Sequence, residues 1–314
     1  MTDPAPSGEP LRVGLCQLTV SDDPAANLPV TRAAIDRAVS GGAGFVLTPE
    51  VTNCLSSSRR RQAEVLCPEA SDPTLAGLRD TAARHGIWLL IGSLALKTGD
   101  PDGRFANRSF LIAPDGAIAA RYDKIHMFDV DVSPTETYRE SEGFRPGSRA
   151  VLAETPFARI GLTVCYDVRF PHLYRALAQA GAEVLTVPAA FSPVTGAAHW
   201  QSLLRARAIE AGAWVLAPAQ TGTHPVTGAG GGARSRSTHG HSLIVAPWGE
   251  VIADAGAEPG VIWAEIDRAE AARARARVPS LRHDRPFDGP SDWPVTEGRP
   301  SDAAAIPGPE PATP

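Results

Sequence analysis

Cysteine is scarce: the 314 residues contain four, at positions 16, 54, 67 and 165. None stands in CxxC spacing, and the density is far below that of a disulfide scaffold. The pattern argues against a zinc ribbon, a thioredoxin-like motif or a stapled secreted domain. Charge of one sign is scarce too. The formal charge is −5, Lys and Arg are scattered, and no basic patch recommends nucleic acid or an anionic membrane as partner. No stretch has the uninterrupted apolar length of a membrane span, and residues 1–10 are polar and proline-rich, unlike a signal peptide. A cytoplasmic location is expected. Clusters of His, Cys, Asp and Glu with metal-ligand spacing are also missing, and His126 has no companions that would make it a ligand. The glycine-rich segment 228–237 lacks a following Gly-Lys-Ser/Thr, which excludes a Walker-type phosphate cradle and leaves it as an insertion loop.

Against this background one of the cysteines stands out. Ile160-Gly161-Leu162-Thr163-Val164 reads as a buried strand that runs into Cys165-Tyr166-Asp167-Val168-Arg169, and Pro171 then opens a helix. Strand, thiol, sharp turn and helix together make a nucleophile elbow. In open α/β sheets such a strand end faces the ligand, with backbone N–H groups free to meet a developing anion. The Tyr166 N–H is the natural donor, and a nearby cation is expected to lower the thiol pKa. The other three cysteines read as packing residues.

Strands of the same buried type recur along the chain, at Leu11–Leu18, Gly44–Thr48, Ile87–Ser93, Glu183–Pro188 and Trp214–Ala219. Helices are expected between them, including one from His199 to Ala211, and Arg268 to Val278 reads as a last helix. Pro114-Asp115-Gly116 and Pro247-Trp248-Gly249-Glu250 carry hairpin chemistry. Two halves emerge, each with strands alternating with helices and each with a hairpin. They suggest a four-layer αββα sandwich, two sheets face to face with helices outside. A single doubly wound sheet accommodates the hairpins less well. Residues 11–288 are expected to form the domain, with a disordered N-terminus over 1–10 and a disordered Pro/Ala-rich tail over 289–314.

Two further strand ends carry reactive groups: Glu50 after Leu47-Thr48-Pro49, and Lys124 after Arg121-Tyr122-Asp123. Taken singly, the first is a turn-capping acid and the second a solvated loop lysine. With Cys165 they complete a chemical set: a base for the thiol proton, a cation for a tetrahedral oxyanion, and a nucleophile.

Leu47-Thr48-Pro49-Glu50, Arg121-Tyr122-Asp123-Lys124-Ile125-His126 and Val164-Cys165-Tyr166-Asp167-Val168-Arg169-Phe170-Pro171 resemble, in order, the three signature blocks of the nitrilase superfamily. The resemblance runs from about Leu11 to Asp288. It implies the αββα fold, a homodimer formed across helices near the cysteine, and a Glu-Lys-Cys triad that hydrolyses non-peptide C–N bonds with no metal and no cofactor. Carried over, Glu50 is the general base, Lys124 the oxyanion stabiliser and Cys165 the nucleophile that forms a thioester. A further glutamate of the family falls on Glu140, with Glu142 the competing assignment. Substrate contacts are expected from Tyr166, Arg169, Phe191 and Thr195, with Arg205 and Arg207 as further carboxylate candidates that could equally be ion-paired to Glu210 or Asp167. Leu203 to Glu210 is similar to the deaminated glutathione amidase branch, which implies cleavage of that small amide to 2-oxoglutarate and cysteinylglycine. An ω-amidase acting on 2-oxoglutaramate is the alternative, as is another amidase or carbamoylase of the superfamily. A papain-like hydrolase with a histidine base, and a silent binding protein, are the rivals outside it. The chain departs from the family pattern in Ser56 to Arg61, near the substrate entrance, and in the glycine-rich segment.

Overall fold

The alternation of small apolar residues along the first strand decides the layering. In the computed structural model, which describes residues 10–133, 136–226 and 235–287, the chain begins with β1 (Leu11–Gln17), α1 (Pro24–Ser40), β2 (Phe45–Leu47), α2 (Arg59–Val65), α3 (Pro73–His85) and β3 (Trp88–Lys97). It continues through β4 (Phe105–Ile112), β5 (Ile118–Asp123), β6 (Asp129–Ser133), β7 (Glu136–Arg139) and β8 (Val151–Glu154). The second half holds β9 (Arg159–Leu162), α4 (Pro171–Gln179), β10 (Val184–Thr186), α5 (Pro193–Ala211) and β11 (Trp214–Ala217). Last come β12 (Thr221–Thr223), β13 (Ser237–His239), β14 (Leu243–Val245), β15 (Val251–Asp254), β16 (Gly260–Ile266) and α6 (Arg268–Arg277).

Two six-stranded sheets result, ordered β16-β1-β2-β3-β4-β5 and β15-β14-β11-β10-β9-β8. In each, three strands run parallel, with an antiparallel hairpin on one side and an antiparallel strand on the other. Side chains that alternate along a strand go to opposite faces. Val13, Leu15, Phe45, Leu47 and Leu90 therefore join a core shared with Ile160, Leu162, Val184 and Leu216 of the other sheet. Their neighbours Cys16, Val46, Leu89 and Ile91 face the other way, against Ile35 and Ala38 of α1 and Leu75 and Leu78 of α3. Leu173 and Leu177 of α4 and Trp200 and Leu204 of α5 cover the second sheet. The expected αββα sandwich is what forms, and the single doubly wound sheet is ruled out.

Helix starts follow local chemistry. Asp23 caps α1 by accepting the Ala25 N–H at 3.0 Å, and Asp72 caps α3 by accepting that of Leu75 at 2.8 Å. The first hairpin turns at Gly116, whose φ of 81° suits a residue without a Cβ. Helix α5 begins at Pro193, a turn and a half before the expected His199, because proline takes its first position. The short helix α2, the hairpin β6–β7 and the edge strand β8 were not anticipated from the sequence.

The described residues up to Arg282 make one compact unit, and those from His283 on do not belong to it. Of the segments expected to be disordered, 1–10 and 289–314, all but residue 10 lie outside the described residues, as do residue 288 and most of the glycine-rich segment. No helix among the described residues is long and apolar enough to cross a membrane.

Candidate active site

Three chain segments that leave their strands at one end of the sandwich bring Glu50, Lys124 and Cys165 together around one cavity. Two backbone positions there are left-handed. Val51, next to Glu50, has φ 47°, and Cys165 itself has φ 50°, conformations that cost a side-chain-bearing residue energy and persist only where the surroundings impose them. Val51 N–H is held by the Ser93 hydroxyl at 2.8 Å, and Cys165 N–H by the Pro188 carbonyl at 2.9 Å. The thiol opens a short 3-10 turn, Cys165–Arg169, that leads into α4.

The Glu50 carboxylate is buried and fully engaged. One oxygen accepts from Lys124 Nζ at 3.0 Å and from Asn107 Nδ2 at 2.9 Å, the other from the Ala190 N–H at 2.8 Å. The Cys165 thiol is hydrogen-bonded to the same carboxylate. Lys124 also donates to both oxygens of Glu140, at 2.9 and 2.8 Å, and the Phe128 N–H holds Glu140 Oε2 at 2.7 Å.

Burial alone would disfavour every charge here. For Glu50 it is outweighed by the Lys124 ammonium and by hydrogen bonds, so its pKa falls below the ordinary carboxylate value. For Lys124 burial is outweighed by Glu140 and Glu50, and its pKa rises. Cys165 departs from expectation. Burial and then the Glu50 charge push the thiol well above its ordinary value, and the opposing Lys124 does not compensate. The cation that was expected to lower the thiol pKa is already shared by two carboxylates. At neutral pH the resting set is thus carboxylate, ammonium and neutral thiol. The group that acts on this buried neutral thiol from the carboxylate side is Glu50. Burial likewise raises Cys16 and Cys54 to about 12, as suits thiols that only pack.

The cavity, about 230 Å³, is lined by Glu50, Lys124, Glu140, Cys165, Tyr166 and Phe191 among the expected residues, and Glu142 is not among its lining residues. Arg169 and Thr195 do not line it either. Arg169, at the end of the 3-10 turn, points to His199 Nδ1 at 3.2 Å and lies over the Phe191 ring, 5.4 Å from its centre. Thr195 sits in the first turn of α5, just after Ser192, which does line the cavity. Of the two helix arginines, Arg205 is held by the Gly249 carbonyl at 2.8 Å, and Arg207 by the Val168 carbonyl at 2.8 Å and Glu210 at 2.6 Å. Asn107, Arg59, Tyr138 and Arg236 line the cavity unanticipated. Of these, Arg59 falls in the Ser56–Arg61 departure and Arg236 in the glycine-rich segment 228–237, the two stretches where the sequence leaves the family pattern. No cluster of His, Cys, Asp and Glu arranged to hold a metal ion occurs among the described residues.

Comparison with known proteins decides the family. The carbon-nitrogen hydrolase family matches residues 12–276. The chain belongs to the carbon-nitrogen hydrolases. As such it is an enzyme that hydrolyses C–N bonds. This carbon-nitrogen hydrolase is 39% identical over 277 residues to a deaminated glutathione amidase of Synechocystis, covering 88% of this chain and 98% of the relative. It is 37% identical to the human protein of that name, covering 87% and 82%. Among solved structures, the C. elegans NitFhit protein aligns with a TM-score of 0.80 at 33% identity, over 89% of this chain and 66% of that one. An amidase of the nitrilase superfamily from Nesterenkonia, solved as a cysteine-to-alanine mutant, aligns at 0.68 with 27% identity, over 88% and 97%.

Proposed function

We propose that this carbon-nitrogen hydrolase is an amidase that cleaves deaminated glutathione to 2-oxoglutarate and cysteinylglycine through a Cys165 thioester. The observation that carries this reading is the thiol of Cys165 in contact with the Glu50 carboxylate, beside an ammonium fixed by Glu50 and Glu140. Glu50 takes the thiol proton as sulfur attacks the amide carbonyl. The oxygen gains the electron pair, and Lys124 and the Tyr166 N–H stabilise it. Collapse breaks the C–N bond, Glu50 passes its proton to the leaving amine, and the acyl group stays on sulfur. A water then loses its proton to Glu50, attacks the thioester, and releases the carboxylic acid and the thiol. Glu140 holds Lys124 throughout. The high thiol pKa fits this sequence, since the thiolate is needed only during attack.

The choice of substrate rests on the names of the relatives. Assembly as a homodimer and a cytoplasmic location belong to the same reading. The test is mass-spectrometric product analysis with wild type and Cys165→Ala. Formation of 2-oxoglutarate and cysteinylglycine by wild type alone supports the assignment. Exclusive cleavage of 2-oxoglutaramate would replace it with an ω-amidase, and equal turnover by Cys165→Ala would refute the thioester route.

A further inference from the structure

Three arginines line the cavity and take no part in the bond-breaking steps: Arg59, Arg139 and Arg236. Arg139 is already matched, since its Nη2 donates to both oxygens of Asp131 at 2.8 and 3.0 Å. The other two are in none of the ion pairs formed among the described residues. Arg236 directs Nη2 to the Ala190 carbonyl at 2.7 Å and lies over the Tyr138 ring, 5.2 Å from its centre. Its Nε is buried and has no hydrogen-bond partner among the described residues. A buried donor left without an acceptor is destabilising, and a guanidinium satisfies Nε best by taking a carboxylate on two parallel N–H groups.

The position of Arg236 says which end of a substrate it faces. Ala190 accepts from Arg236 through its carbonyl and donates to Glu50 through its N–H at 2.8 Å. One residue therefore separates the guanidinium from the carboxylate that touches the thiol. Arg59 is on a different wall, at the first position of α2. It is exposed, with its guanidinium 5.6 Å from the centre of the Phe144 ring and Nη2 at 3.4 Å from the Arg139 carbonyl. It stands on the solvent side, where the departing half of an amide leaves.

Resting on the amidase reading above, we propose that Arg236 seats a carboxylate on the acyl half of the substrate and Arg59 an anion on the leaving-group half. The pair selects amides of a short dicarboxylic acid whose amine also ends in a carboxylate. Deaminated glutathione has one carboxylate on each side of its scissile bond. Asn107 and Tyr138 are among the polar residues that line the same cavity.

The test compares kcat/KM for 2-oxoglutaramate with that for pentanamide, an uncharged amide of the same chain length, and for deaminated glutathione with that for 2-oxoglutaramate. R236Q is expected to lower the first ratio about 10- to 100-fold, mainly through KM, the effect of one lost charge-assisted interaction. R236K should recover part of it. R59Q is expected to lower the second ratio. A first ratio in R236Q equal to that of wild type overturns the seat, as does an equal loss on both amides. If wild type turns over none of these amides, the amidase reading fails and calorimetry with 2-oxoglutarate decides the seat. Binding to wild type that is lost in R236Q sustains it, and absence of binding to wild type overturns it.

Discussion

The Asp167 carboxylate accepts the Tyr122 hydroxyl at 2.6 Å, tying the turn that carries Cys165 to the strand that delivers Lys124. The same oxygen accepts the Val164 N–H at 2.9 Å, and the other accepts the N–H and Nδ1 of His126 at 3.0 and 2.7 Å. Every partner is a donor, so an Asn in this place would turn its own N–H groups towards donors. Asp167→Asn is expected to destabilise the fold by roughly 3 kcal/mol and to lower kcat, because thiol and ammonium lose their common brace. Tyr122→Phe should cost about 1 kcal/mol. Urea unfolding of both variants reads this, and a wild-type midpoint for Asp167→Asn would refute the brace.

Removing the Glu50 charge should have opposite effects on thiol acidity and on turnover. Burial and Glu50 hold the Cys165 pKa up while Lys124 opposes them. In Glu50→Gln the cation remains and one raising cause is gone, so the thiol pKa falls. The base is lost as well, and hydrolysis is expected to drop roughly 10²- to 10⁴-fold. Alkylation of Cys165 by iodoacetamide, followed by mass spectrometry against pH, should show its midpoint moved to lower pH in the variant. A midpoint that stays or rises would show that Glu50 does not set the thiol's charge.

What could be read from the sequence was what a single strand or turn reports by itself. Ile160 to Val164 followed by Cys165 announces a buried strand and an elbow, and Pro114-Asp115-Gly116 announces a hairpin, because both signals are local. The substrate side of the cavity was illegible for a different reason. Arg59 and Arg236 lie 177 positions apart, and it is folding that brings α2 and the residue before β13 to one cavity. Arg169, adjacent in sequence to the elbow, is carried outward by the 3-10 turn. The thiol pKa was misjudged for the same reason: whether Lys124 is free for the sulfur depends on Glu140, which folding brings to it from the far end of the β6–β7 hairpin.

Gly92 is a position where a single methyl group should disturb the site. A Cβ there would come within 2.0 Å of the Thr48 carbonyl oxygen, 2.5 Å of that of Pro49 and 2.6 Å of Pro188 Cβ. The first two precede Glu50 in the chain, and the Pro188 carbonyl holds the Cys165 N–H. Backbone cannot retreat as a flexible side chain can, so Gly92→Ala is expected to cost about 3 kcal/mol or more and to reduce kcat in the fraction that folds. An unchanged urea midpoint would show that the two strand ends yield more easily than their packing implies.

Acid should weaken the fold through His224, which joins the two halves of the chain beside the cavity. Its ring is buried, with Nδ1 2.7 Å from the Val20 carbonyl and Nε2 2.7 Å from the Thr238 hydroxyl. A carbonyl only accepts, so Nδ1 carries the proton and neutral Nε2 accepts from Thr238. Burial lowers the pKa from 6.5 to about 4, the Val20 hydrogen bond opposes this, and nearby Arg236 adds to it. Between these values the unfolded chain binds the proton and the folded one does not, so stability rises with pH. The contribution is complete above pH 6.5 and is lost as pH falls to about 4, an effect on the order of 3 kcal/mol. Urea unfolding across this range, for wild type and His224→Gln, isolates it. The stability of wild type relative to the variant should shrink steadily with acidification, and a constant difference would mean that His224 titrates alike in the folded and unfolded chain.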